Sequence, residues 1–107
     1  VHLQVDDVAR ATGFYAGVLG FDLVARYGAD AVFLSAGGYH HHVGANTWES
    51  RGRGQAPEGS ASLRHATVVL PSRDERDAVA ERLGAVGSEH GPLVRDLSGN
   101  ALVLAHD

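Results

Sequence analysis

The chain has 107 residues, enough for one hydrophobic core and too few for two independent domains. Its 44% hydrophobic and 21% charged content is that of a soluble globular protein, and a net charge of −4 argues against a general nucleic-acid binder, which would carry a basic face. The absence of Cys excludes a disulfide framework, a thiolate nucleophile and a Cys-type zinc site.

The longest apolar runs, such as Thr67 to Leu70 and Ala101 to Ala105, are strand-sized and too short to span a bilayer. With no signal segment at the start, the expectation is a cytoplasmic protein without a membrane partner. The sequence contains no Met and opens directly in a strand pattern, which suggests a piece of a longer chain.

Residues 1–5 alternate apolar Leu3 and Val5 with polar His2 and Gln4, the signature of a strand with one polar face. Asp6 or Asp7 can cap the following helix, whose stripe is Val8, Ala11, Tyr15, Val18 and Leu19; Gly20 is its natural stop. Three strands are predicted next, Asp22 to Tyr27, Ala31 to Ser35 and Tyr39 to Ala45, with turns at Gly28-Ala29-Asp30 and Gly37-Gly38. Residues 49–61 lack periodicity and read as a connecting loop.

The second half repeats this order. Leu63 to Leu70 reads as a strand ended by Pro71. Ser72 and Glu75 have capping-box spacing and open a helix with Val79, Leu83 and Val86 on its buried side. A weak strand is expected near Ser88 to His90, then better ones at Leu93 to Asp96 and Ala101 to Ala105, joined at Ser98-Gly99-Asn100. The expected fold is therefore α+β. Two βαβββ modules, about 1–48 and 62–107, would form one cupped, mostly antiparallel, eight-stranded half-barrel with the helices outside.

Aligning the halves on their first strands matches Val5 with Leu70, His2 with Thr67, and His65 with the position before Val1. His65, Thr67 and Val69 then share one strand face, as do His2 and Gln4, and the polar faces of the two strands correspond. Matching the last strands through Gly38 and Gly99 sets His42 opposite Val103 and His40 opposite Ala101. That register is soft by one residue because turns and bulges shift it.

His40, His41 and His42 are read as lying on a strand, where His41 would point away from its neighbours. Their simplest role is to line a damp pocket. The sharper alternative is a three-His metal site using His42, His65 and the residue before Val1. His65 is either a hydrogen-bonded strand histidine or a metal ligand. His2, His40, Thr67 and Trp48 are candidate ligand-binding residues, with Trp48 and Tyr39 more simply packing anchors. His90 and His106 lie near a loop and the terminus and receive no role. Gly37-Gly38 and Gly99-Asn100 open no helix, so neither is a phosphate-binding loop.

Several stretches resemble a known family. Asp7, Phe14-Tyr15 and Val18-Leu19-Gly20-Phe21 look like the opening of the vicinal-oxygen-chelate superfamily, which includes glyoxalase I, bleomycin-resistance proteins and extradiol dioxygenases. The run from Phe33 to Trp48, with Gly37-Gly38-Tyr39-His40-His41-His42, resembles the C-terminal module of catechol 2,3-dioxygenase-like proteins, as does Val94-Arg95-Asp96-Leu97-Ser98-Gly99-Asn100.

In catalytic extradiol modules, the resemblance implies, iron(II) is held by a His on the first strand, a His on the fifth and a Glu on the last. These positions fall just before Val1, on His65 and on Val103, which has no donor atom. The chain is accordingly expected to be a module of an aromatic ring-cleaving protein, not catalytic by itself. The resemblance implies iron(II) or another divalent metal as the cofactor, and a second module of the same chain or a second copy as the partner. The competing reading is a metal-free binder of small aromatic or chelating molecules, as in the bleomycin-resistance branch. Glyoxalase-type isomerisation fits less well, since it would want two glutamates among four ligands.

Overall fold

The computed structural model describes all residues 1–107 and is a mixed α+β fold of seven strands and two helices. It resolves into two compact units, Val1–Ser60 with Leu97–Gly99, and Ala61–Asp96 with Asn100–Asp107. No helix is long and apolar enough to cross a membrane.

In the first unit, β1 (His2–Gln4) leads into α1 (Val8–Thr12), and β2 (Asp22–Tyr27), β3 (Ala31–Ser35) and β4 (Val43–Asn46) follow. The sheet order is β1-β4-β3-β2, with β1 parallel to β4 and the other pairs antiparallel. Alternation sends Leu3, Val32, Leu34, Val43 and Ala45 into the core, where they are buried along with Val8, Ala11, Tyr15 and Leu19 of the helical segment. Asp7 caps α1 by accepting the Arg10 N–H at 2.8 Å.

Beyond Thr12 the helix widens into a π-helical stretch, Gly13–Val18, in which the Leu19 N–H reaches back to the Phe14 carbonyl. The wider turn keeps Tyr15 and Leu19 buried but rotates Val18 out to 41% exposure, so Val18 leaves the stripe that regular helical spacing assigned to it. Gly20, at φ +99°, ends the segment as expected.

The second unit holds β5 (Ala66–Leu70), α2 (Arg73–Leu83), β6 (Leu93–Arg95) and β7 (Ala101–His106) in the order β5-β7-β6. Again the first strand pairs in parallel with the last, while β6 and β7 are antiparallel. The Ser72 hydroxyl both accepts the Glu75 N–H and donates to the Glu75 carboxylate, each at 3.2 Å, as the capping-box spacing anticipates.

Two features depart from the sequence expectation here. The eighth strand, near Ser88 to His90, does not form. Residues 88–91 make a tight turn, and ladder pairing there is reduced to one bridge between Val86 and Leu93. The helix stops at left-handed Gly84, so Val86 lies beyond it and is 62% exposed.

Replacing the capping hydroxyl should weaken α2 without altering its core face. Ser72→Ala is expected to lower stability by about 1 kcal/mol, read from the urea midpoint at unchanged slope.

Candidate functional site

The face of the first sheet opposite the helix carries the side chains of His2 and Gln4 from β1, and the strand registers His2↔Gly44 and Phe33↔Gly44 place Phe33 beside them. The expectation that His40–His42 occupy a strand is corrected: β4 begins only at Val43, and the three histidines lie in the loop after the Gly37-Gly38 turn. Both glycines have positive φ, +70° and +77°, and let the chain double back before the strand starts.

That loop is tied down by His42. Its N–H donates to the Leu34 carbonyl at 2.8 Å, and its ring Nδ1 accepts the Ala36 N–H at 3.2 Å, which puts the neutral ring's proton on Nε2. His41, freed from strand alternation, is the centre of the cluster. Its ring lies 5.0 Å from Phe33, 5.3 Å from His2 and 4.9 Å from His40. Tyr39 stacks on His40 at 3.9 Å. Desolvation, then the charges of His40 and His2, hold the His41 imidazole below the usual histidine pKa.

The positions named from the sequence are thus partly assembled. His2, His40 and His42 belong to one ring cluster, with His41 as the member that sequence alternation set aside. Trp48 sits in the turn after β4, 67% exposed. In the second unit, His65 lies one residue before β5 and is half-buried, and Thr67 is exposed. The His65 ring packs against His90 at 4.9 Å with 35° between planes. The turn at residues 88–91, closed by the Ser88 hydroxyl on the Gly91 carbonyl at 2.7 Å, carries His90 to that contact. Nothing in the local sequence marked His90, because the contact depends on how the turn folds back onto β7.

The strand registers align the two halves with each other. Thr67 pairs with Val103 as His2 pairs with Gly44. The residue equivalent to Val103 in the first half is therefore Gly44, and the match of His42 with Val103, made through the glycines, is two residues out. Val103 is buried and purely aliphatic. At Gly44 a Cβ would stand 2.6 Å from His2 Nδ1, so the imidazole occupies the space where a side chain would project. Neither last-strand position offers a donor, and no group of three or more His, Asp or Glu side chains converges to hold an ion. The residues present do not fit the family's iron(II) ligand set.

Residues 1–104 match the model of the Glyoxalase/Bleomycin resistance protein/Dioxygenase superfamily. The chain belongs to that superfamily. It is 48% identical over 88 residues to a catechol-2,3-dioxygenase of Bacillus subtilis (strain 168), covering 81% of this chain but only 31% of that protein. Among solved structures, a superfamily domain from Frankia sp. EAN1pec superposes with a TM-score of 0.73 at 23% identity, over 97% of this chain and 91% of that one. A lactoylglutathione lyase from Agrobacterium tumefaciens gives 0.71 at 20% identity, over 99% and 90%. At these identities the structural likenesses establish the superfamily fold alone.

Because folding lowers the His41 pKa, the unfolded chain takes up that proton first. The linked stability is present above the unfolded value of about 6.5 and falls as pH drops below it. In an NMR titration, His40→Ala should raise the His41 midpoint towards the ordinary value by removing one neighbouring charge; an unchanged midpoint would show that His40 does not act on it.

Proposed function

We propose that this chain is one module of a catechol 2,3-dioxygenase-like extradiol protein, and that it does not cleave aromatic rings by itself. The single observation that supports the reading is that aliphatic Val103 pairs with Thr67 as Gly44 pairs with His2, so that neither last strand offers a donor beside its first strand at the position where the family resemblance would put the carboxylate. The relationship to the Bacillus catechol-2,3-dioxygenase supplies the reaction class, and the chain spans about a third of that relative's length.

In an intact site of this class, iron(II) gathers the two catechol oxygens and dioxygen and stabilises the catecholate. That chemistry needs two imidazoles and one carboxylate with open positions. Of the two ligand positions that fall inside this chain, only His65 carries a donor, and its ring is engaged with His90. The module's part is then structural, or it completes a neighbouring module or a second copy that brings the metal. Such a protein would work in the cytoplasm, where iron(II) and aromatic catabolites are at hand.

A second reading, binding of a small aromatic molecule without metal, draws on the ring-lined face of the first unit. Phe33, His2 and His41 present edges and faces there, and Tyr27 stands 6.3 Å from Phe33 while 72% exposed. An aromatic guest can stack on such a platform.

With iron(II) supplied anaerobically and then exposed to air, the chain should turn over catechol no faster than iron(II) in buffer without protein; ring-cleavage product above that level would defeat the non-catalytic assignment. Calorimetry with catechol and a metal chelator present distinguishes the second reading. Saturable binding that His2→Ala and Phe33→Ala weaken would favour it, and no heat above dilution would remove it.

A further inference from the structure

The loop between β3 and β4 contains a pair of groups that the family's ligand positions do not include. His40 Nδ1 and His41 Nδ1 face each other at 3.1 Å. Two neutral ring nitrogens so close must share a proton, one ring donating and the other accepting.

Both rings are held in place by other contacts. Tyr39 stacks on His40 at 3.9 Å, and Phe33 and His2 pack on His41 from the sheet face. The loop is anchored behind them by the two hydrogen bonds of His42, whose Nδ1 is thereby committed to Ala36. His2 Nδ1 is turned onto the backbone at Gly44. His40 and His41 bring their Nδ1 atoms within 3.1 Å of each other.

We propose that the facing Nδ1 atoms of His40 and His41 form a two-imidazole site for a late first-row divalent metal ion, separate from the family's iron position. Imidazole–metal bonds of about 2.1 Å and nitrogens 3.1 Å apart give an N–M–N angle of about 95°. That angle suits adjacent positions of an octahedral or square-planar ion such as nickel(II) or copper(II) better than a tetrahedral one. The donor ring moves its proton from Nδ1 to Nε2, so neutral rings bind the cation without net proton release. His40 is exposed, and water fills the remaining positions, which makes the site exchangeable. It differs in this respect from a closed structural centre.

The test is nickel(II) titration of untagged protein by calorimetry, with ring-nitrogen NMR of the histidines using zinc(II) as a diamagnetic probe. One saturable site should appear. His40→Ala and His41→Ala should each weaken it by at least about tenfold, while His65→Ala and His90→Ala leave it unchanged. The Nδ1 resonances of His40 and His41 should shift together, ahead of His106 and His90. Binding that survives loss of both His40 and His41, shifts centred on His65, or no saturable site at millimolar nickel would each overturn the proposal.

Discussion

In both halves, the parallel pairing of the first strand with the last fixes everything that follows at the site. A parallel pair needs a long crossover, and here that crossover contains the helix and the intervening strands. The helix buries one face of each sheet, so the alternate side chains of the first strand are the ones left on the opposite face. His2 and Gln4 take that position in β1, as Thr67 and Val69 do in β5. The same pairing sets Gly44 beside His2 and Val103 beside Thr67. A register displaced by one residue would turn each of these side chains to the other face.

Superfamily members commonly use divalent metals, and the fold here is theirs. The last-strand positions nevertheless hold an aliphatic side chain and a glycine covered by an imidazole. A hydrophobic residue at a metal position contributes packing where a carboxylate would have to be desolvated and paired. In the second half, the His65 ring packs against that of His90.

The first half places its imidazoles differently. They gather on a loop whose shape comes from two left-handed glycines and whose anchor is His42. Desolvation first, and then the neighbouring imidazoles of His40 and His2, disfavour the charged form of His41 and depress its pKa. Phe33 and Tyr39 pack against these rings at the surface.

Much of this was legible in the sequence. The turns at Gly28-Ala29-Asp30 and Gly37-Gly38 marked off β2 and β3 to the residue, the capping residues Asp7 and Ser72 marked both helix starts, and the repeat predicted which faces of β1 and β5 correspond. Motif resemblance identified the family. Tertiary structure decided the rest, because each miss concerned backbone whose path is set by non-local pairing. The π-helical turn moved Val18 outward, the turn at residues 88–91 replaced a strand, and the glycine loop carried His40–His42 off β4. Composition and periodicity report which residues prefer burial, whereas the partner of Val103, the neighbour of His65 and the centrality of His41 follow from hydrogen-bond register between distant segments.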